Sequence, residues 1–592
     1  MLHHAIIDIF IEVKWTKYMP RLLAIELENF QSIKERTRID FSAITLLYGP
    51  NSAGKSAIFD ALELIECVWD PNKFNESKLS EMIGRWARKE NKEILPCVIS
   101  VEYQFDEEND PDAEQVWFDQ LNWKGRKVPS EFPLHKYWEE FNAECEFNFL
   151  LIGKALIKLE ITFLWGEMYG NQSHLISGIH IEINNRPILT FHKANKYSWN
   201  EGVGELSIYN NRGYAPDAFV MFPDPSLVSS EEAKHISQRD GECVYSGYFA
   251  VDKLDVRSFK SIYEEEPPGD LATVEHISSL ASDILFYLGT IIGGVFRKST
   301  PLVKADRKVP SPREVLTIVD PGLENWWEPN HFSPETPAKL ISELSRDIDP
   351  HYAIIARSAH AEIISKTSKS DFWGGSHSQE HLKKFSSESV LVERINKHLE
   401  SRLFHEKLYR LKCSSTLMVP IDLDQDDPWS YYALSQPSTV RLYLEDGESR
   451  ETELHDVGSG VPFVLPVLCA AVHGGLVRIQ QPELHLHPAL QSSIADVFIE
   501  EILFKDSNLF IIETHSEHLL LRLLRRIRDK EKKCETSHEL PLNPSDIAIY
   551  YFDPQVTGGT VVTRQLITPL GDFYSEWPRG FFSDRDRDLF DV

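Results

Sequence analysis

The sequence predicts an α/β protein in which a mixed sheet surrounds a glycine-rich loop and carries α+β insertions. Three observations support this. A buried strand-like run, Leu46-Leu47-Tyr48, precedes Gly49-Pro50-Asn51-Ser52-Ala53-Gly54-Lys55-Ser56, and Ala57-Ile58-Phe59-Asp60-Ala61-Leu62 follows as the opening of a helix. Alternating strand-like runs lie on both sides of that loop. Towards the C-terminus two short apolar runs, 475–479 and 509–513, end in polar motifs and are separated by a helical stretch.

At 592 residues the chain exceeds one ordinary core, so two or three domains, or one domain with large insertions, are expected. A hydrophobic content of 42% beside 26% charged residues is that of a globular protein, and no apolar run approaches the ~18 residues of a membrane span. Residues 5–13 are the most apolar stretch near the start. Acidic residues interrupt them and no small-residue cleavage pattern follows, so neither signal nor anchor is expected. Met19 begins a more natural-looking start, and the residues before it read as an extension. The seven cysteines are scattered, odd in number and without a C-x-x-C pair, which suggests neither a zinc site nor a disulfide framework and fits a reducing cytoplasm. A net charge of −29 argues against nucleic acid over the whole surface, leaves room for one basic patch, and favours cationic partners.

In chain order, residues 22–33 alternate like a strand, and Arg38-Ile39-Asp40-Phe41 forms a second strand leading into the loop strand. The loop itself has the spacing G-x-x-x-x-G-K-S. Its glycines let backbone N–H groups close on phosphate oxygens, Lys55 reaches the terminal phosphates, and the Ser56 hydroxyl ligates magnesium. The following helix adds the positive end of its dipole. Gly49, Pro50, Asn51, Ser52, Ala53, Gly54, Lys55, Ser56 and Ala57 are therefore the predicted contacts for ATP with Mg2+. The helix should end before Asp70-Pro71-Asn72. Short β-like runs at 98–103, 156–161 and 179–183 predict an antiparallel region, with Asn184-Asn185 as a turn. Residues 200–268 read as loops with one or two strands. Helices are expected over 271–288, 334–348 and 387–403, the last with Val390, Val392, Ile395 and Leu399 apolar, and no heptad array supports a long coiled coil.

The second group of motifs begins at His455. Gly458-Ser459-Gly460 stands before the apolar helical run 463–472 and makes a second anion-binding helix N-terminus, although an ordinary glycine turn has the same sequence. A short strand then ends in Gln480-Gln481-Pro482-Glu483-Leu484-His485-Leu486-His487-Pro488, and the strand 509–513 ends in Thr514-His515-Ser516.

With the phosphate loop, these motifs resemble the split ABC-type ATPase head of the SMC, RecF and overcoming-lysogenization-defect (OLD) families. The OLD-like ATPases of bacterial antiphage systems such as Septu, PARIS and Gabija are the most similar. The resemblance spans 22–56 and 456–516. It implies a homodimer or higher even oligomer held by ATP, with Ser459 and Gly460 of one subunit capping the γ-phosphate bound to the loop of another. His515 is then the switch histidine contacting that phosphate, and a catalytic set of Lys55, Gln480, Gln481, Glu483 and His515 follows. Residues 570–582, rich in aromatics, are similar to a tail found in some of these ATPases and also read as an aromatic plug on the core.

The chain departs from the family where the strand should end in carboxylates. Gln480 stands where an acidic residue holds magnesium through water, and Gln481 where a base activates the attacking water. An amide orients water but does not take its proton, and loss of a general base costs about 10²- to 10⁴-fold. Either Gln480 is native, leaving Glu483, His485 or His487 to assist, or it replaces a glutamate so as to trap ATP. In both cases ATP binding persists and turnover is slow. His485 and His487 also have the chemistry of metal ligands, while the family context makes them a structural turn.

No Asp-x-Asp pair on a strand, of the kind that would hold two metals in a nuclease, is read after Ser516, so a separately encoded effector, a nuclease by resemblance, is the expected partner. Arg522, Arg525, Arg526, Arg528, Lys530, Lys532 and Lys533 crowd one helix and offer a nucleic-acid surface or simply a solvated face. The resulting division is 1–70 (first ATPase lobe), 71–270 (β-rich acidic lobe), 271–437 (helical insertion), 438–540 (second ATPase lobe) and 541–592 (tail). Three functions are compatible with it: an antiphage ATPase governing an effector, a non-hydrolysing ATP-bound scaffold, and a RecF-like repair ATPase.

Overall fold

The computed structural model describes residues 21–69, 89–90, 93–106, 154–168, 171–183, 185–193, 203–209, 243–252, 255–258, 296, 299–310, 316–318, 349–366, 382–386, 389–418, 438–458, 460–532, 540–556 and 558–578. They divide into two compact units. One holds the described residues of 21–41, 49–298 and 550–563; the other holds those of 42–48, 299–549 and 564–578.

Strands β1 (Arg21–Glu28), β2 (Thr37–Asp40) and β3 (Ile44–Tyr48) lead to the loop and to helix α1 (Ala57–Trp69), which stops where Asp70-Pro71 was expected to stop it. Then follow a two-stranded ribbon, β4 (Lys89–Glu90) with β5 (Glu93–Ile94), and the strands β6 (Cys97–Asp106), β7 (Lys154–Met168), β8 (Asn171–Ile183), β9 (Arg186–Lys193), β10 (Val203–Tyr209), β11 (Cys243–Asp252) and β12 (Asp255–Ser258).

In the first unit these strands form an antiparallel sheet of nine in the order β12-β11-β10-β9-β8-β7-β6-β1-β2. Its centre shows the period of two that a half-covered sheet requires. Ile25 and Leu27 of β1, Ile99, Val101 and Tyr103 of β6, and Ile157, Leu159 and Ile161 of β7 are buried. The alternate positions carry a charge lattice, in which Arg38 reaches Glu26 at 3.0 Å and Glu102 at 2.7 Å. Asn185, at φ 64°, closes the two-residue turn between β8 and β9 as the sequence suggested. Residues 200–268 contain three strands rather than one or two. Strand β10 is spaced by glycine and serine, so its apolar alternation is faint in the sequence.

The second unit contains β13 (Leu316–Ile318), α2 (Pro350–Lys366), β14 (Leu382–Ser386), α3 (Val390–His398), β15 (Arg410–Met418), β16 (Ser438–Glu445) and β17 (Glu451–Glu453). After them come α4 (Gly460–His473), β18 (Leu476–Gln480), α5 (Pro488–Phe504), β19 (Leu509–Glu513), α6 (Glu517–Glu531), β20 (Ile547–Pro554) and β21 (Thr560–Gln565). One sheet runs β13-β16-β15-β14 with β17 on β16, and another runs β18-β19-β3-β20-β21, where β20 and β21 each have residues in both units. Strands β18, β19 and β3 are parallel neighbours. Strands β3 and β19 are buried along their whole length, and β18 as far as Ile479, as expected where a parallel sheet is covered on both faces.

Helix α3 begins at Val390 behind a Ser389 cap and passes into a π turn at Leu399–Leu403. Val392, Ile395 and Leu399 are buried as the periodicity predicts, but Val390 is 69% exposed because it precedes the packed stripe. Helix α2 was not foreseen, and the helices expected over 271–288 and 334–348 lie outside the described residues. Among the described residues no helix is long and apolar enough to cross a membrane, and Cys67, Cys97, Cys413 and Cys469 are buried and outside any disulfide.

Candidate functional site

The loop begins directly after β3. Gly49 has φ 145°, and a Cβ there would lie 2.5 Å from the Phe552 carbonyl oxygen; Gly54 has φ 91°, and a Cβ would meet the Ser32 Oγ at 1.8 Å. Both positions demand glycine. The Ala53 carbonyl accepts from Thr560 Oγ1 at 2.8 Å and from Ser32 Oγ at 3.4 Å, which anchors the middle of the loop. Lys55 is buried, and its ammonium donates to the Gly49 and Pro50 carbonyls, each at 2.9 Å. Asn51 and Ser52 are exposed, Pro50 and Ser56 half-buried, and Ala53 and Ala57 buried. This cradle, too tight for any side chain at Gly49 or Gly54 and carrying a lysine at the start of α1, fits a nucleoside triphosphate.

In the second unit the parallel register sets Gln480 of β18 opposite Glu513 of β19, and Glu513 opposite Leu47 of β3. Gln480 Nε2 lies 3.4 Å from Glu513 Oε2, and the Gln481 N–H donates to the Glu513 carbonyl at 2.7 Å. Gln481 occupies the left-handed region at φ 47° and opens the turn that carries Glu483 and His485. Glu483 accepts from the His515 N–H at 2.7 Å and from Thr514 Oγ1 at 2.8 Å. Burial nevertheless outweighs these donors and raises the Glu483 pKa above its usual 4.5. The carboxylate thus ties the Pro-Glu-Leu-His turn to the Thr-His-Ser turn. Ser516 caps α6, accepting from the Leu519 N–H at 3.1 Å, and its carbonyl accepts from the buried Tyr48 hydroxyl at 2.9 Å.

His487 is the N-cap of α5, its Nδ1 accepting from the Ala489 N–H at 3.3 Å, and the His485 ring lies tilted against Phe463 with ring centres 4.2 Å apart. Both therefore have structural work in the turn, and no group of three or more metal-ligating side chains is gathered among the described residues. For magnesium the loop supplies one hard oxygen donor, the half-buried Ser56 hydroxyl. This chemistry fits an ion that takes one or two protein ligands beside substrate phosphates.

Gly460 opens α4, and a Cβ there would stand 3.3 Å from the His485 carbonyl oxygen. Ser459 lies outside the described residues. Two further residues fix this corner. Tyr352 donates to the Pro462 carbonyl at 2.7 Å, and the buried Arg307 donates to the Phe463 carbonyl at 3.0 Å and to the Gln481 carbonyl at 2.5 Å. Val303, in the same strap, extends the sheet by a parallel bridge to Ile479. Sequence reading missed Arg307, Val303 and Glu513. The first two sit in a proline-containing stretch without periodicity, whereas Glu513 left a signal: it is the only charge in an apolar buried strand.

The basic helix, read from the sequence as a nucleic-acid surface or a solvated face, carries ion pairs that the sequence did not show. Arg526 makes a bidentate pair with Asp496 at 2.8 and 2.9 Å, Arg522 reaches the same carboxylate at 3.0 Å, Arg525 lies 3.6 Å from Asp529, and Arg528 binds Asp572 at 2.9 Å. Spacing along one helix does not show acids supplied by α5 and the tail. Lys533 lies outside the described residues. The tail packs as an aromatic plug, with Trp577 edge-on to Tyr48 at 5.4 Å and to Phe573 at 5.0 Å.

Residues 24–145 match a protein family described as AAA domain. The matched segment contains the loop at 49–57. Residues 542–592 match a family described as a protein of unknown function (DUF3696), and no curated protein matches the chain. Solved structures similar to it include an Smc head bound to the C-winged helix domain of ScpA (10% identity, 92% of this chain and 98% of that one, TM-score 0.33). Others are the Smc head with an extended coiled coil bound to the C-terminal domain of ScpA from Pyrococcus furiosus (12%, 93% and 97%, 0.32) and the SMC head domain from Thermotoga maritima (10%, 92% and 98%, 0.28).

Proposed function

We propose that the chain binds ATP with magnesium at residues 49–57, and that two copies close around the nucleotide, Ser459 and Gly460 of each facing the γ-phosphate held by the other. The observation that carries this reading is the construction of the α4 start. Gly460 lies against the His485 carbonyl, and Arg307 joins the first turn of α4 to the Gln480-Gln481 strand end, so a surface meeting phosphate is mechanically tied to the residues that sense it. Lys55 and the loop N–H groups bind phosphate oxygens, Ser56 holds the metal, and His515 reports the γ-phosphate. Magnesium supplies charge neutralisation between the β- and γ-phosphates. With amides at 480 and 481 turnover is slow, and nucleotide occupancy rather than flux is the signal.

In this proposal the signal governs a separately encoded effector, a nuclease in the antiphage systems that the motifs resemble, and the protein works in the cytoplasm. The pairing of Arg522, Arg525, Arg526 and Arg528 with acids favours this reading over a RecF-like one in which that helix grips DNA. The test is purification of the chain with its genomic neighbours, with and without ATP. An associated nuclease whose retention changes with nucleotide is the expected result. An ATPase stimulated by duplex DNA and lacking any protein partner would overturn it.

A further inference from the structure

We infer that Thr560, 507 positions beyond the loop, is a positioning residue for ATP: its hydroxyl fixes the Ala53-Gly54 peptide so that the Gly54 N–H is presented to a phosphate oxygen. The inference rests on residues 49–57 being the ATP site.

All the groups concerned lie in the first compact unit. The hairpin between β20 and β21 is closed by the Gln555 N–H, which donates to the Gly559 carbonyl at 2.9 Å. It reaches both glycines of the loop. A Cβ at Gly49 would lie 2.5 Å from the Phe552 carbonyl oxygen, and one at Gly54 would lie 3.8 Å from Thr560 Oγ1. Thr560 is only 8% exposed, so its hydroxyl hydrogen must find an acceptor inside the protein, and the Ala53 carbonyl stands 2.8 Å away. Ser32 Oγ is a second donor to that carbonyl, longer at 3.4 Å.

A trans peptide sends its C=O and its N–H in opposite directions, so pinning the Ala53 oxygen also aims the Gly54 hydrogen. Glycine at φ 91° tolerates several orientations of that peptide. The two glycines permit the bend, and the hydroxyl selects the direction of one peptide within it. The Ala53 N–H is already taken by the Pro50 carbonyl at 3.3 Å, whereas among the described residues nothing accepts from the Gly54 N–H. A backbone donor held in place before the ligand arrives binds an anion without the cost of turning the peptide. A residue of the carboxy-terminal hairpin thereby becomes part of the nucleotide site.

The test is titration of the full chain with ATP and magnesium, beside urea unfolding without nucleotide. Thr560→Val keeps the branched shape and removes the donor, and its ATP affinity should fall about 5- to 20-fold. Thr560→Ser keeps the hydroxyl and drops the methyl, and should stay within about threefold of the wild type. A packing role would reverse that order, with valine the milder change, and would overturn the proposal. Lys55→Ala checks the loop itself: undiminished binding there would remove the ATP-site reading and this inference with it. If Lys55→Ala weakens binding but Thr560→Val binds ATP as the wild type does, whatever its urea midpoint, Thr560 is a structural pin and this inference alone fails.

Discussion

The phosphate loop and the strand-end turns are built on opposite plans. In the loop, Lys55 is held by carbonyls five and six residues away, and the spacing of two glycines sets the backbone. In the turns, beside short-range caps, several fixing side-chain contacts come from farther along the chain: Arg307 beneath Gln481, Thr514 and His515 on Glu483, and Gln491 on Ser516. A locally built site can be read from a string of residues. A site built by strand pairing draws on residues that the string does not place side by side, as Gln480 is set opposite Glu513.

This contrast predicts that changes beneath the strand-end region act on stability and those in the loop act on ligand. The largest stability effect is expected for Asp496→Asn, which leaves Arg526 buried without its bidentate partner; a loss of about 3–5 kcal/mol should appear in urea unfolding. Lys55→Ala should weaken ATP binding about 100-fold or more in titration calorimetry, since charge-assisted bonds are worth about 1.5–3 kcal/mol each, with little change in the unfolding midpoint. Arg307→Ala strips donors from the Phe463 and Gln481 carbonyls and should cost about 2 kcal/mol. Unlike Lys55→Ala, it should leave ATP affinity of the single subunit intact while impairing ATP-dependent association.

The smallest effect concerns pH. Burial raises the Glu483 pKa above its unfolded value of 4.5, so the folded chain holds that proton more tightly. The stabilisation is complete below about pH 4.5 and is lost as pH rises through the folded value. Glu483→Gln should remove this component, flattening the fall in urea midpoint between pH 5 and pH 8.

Much of the fold was legible because its signals are local. The loop, the strand at 509–513, the turn residue Asn185 and the end of α1 at Trp69 each follow from nearby residues. What escaped depends on partners distant in sequence. Helix α2, whose weak amphipathic pattern gives little to read, packs Tyr352 against Pro462, and the strap at 299–310 finds its role only beneath β18. The ion pairs of the basic helix escaped for the same reason, since Asp496 and Asp572 belong to other elements.

The central claim is that a nucleotide bound at 49–57 is closed by a second copy. Mixing two defective variants tests it most directly: Lys55→Ala, which lacks the loop cation, and Ser459→Arg, which blocks the opposing surface. Light scattering in ATP and magnesium should show each variant failing to associate alone while the mixture forms a dimer with one intact composite site. Association of either variant by itself to the wild-type extent, or no recovery on mixing when the wild type dimerises, would contradict the account.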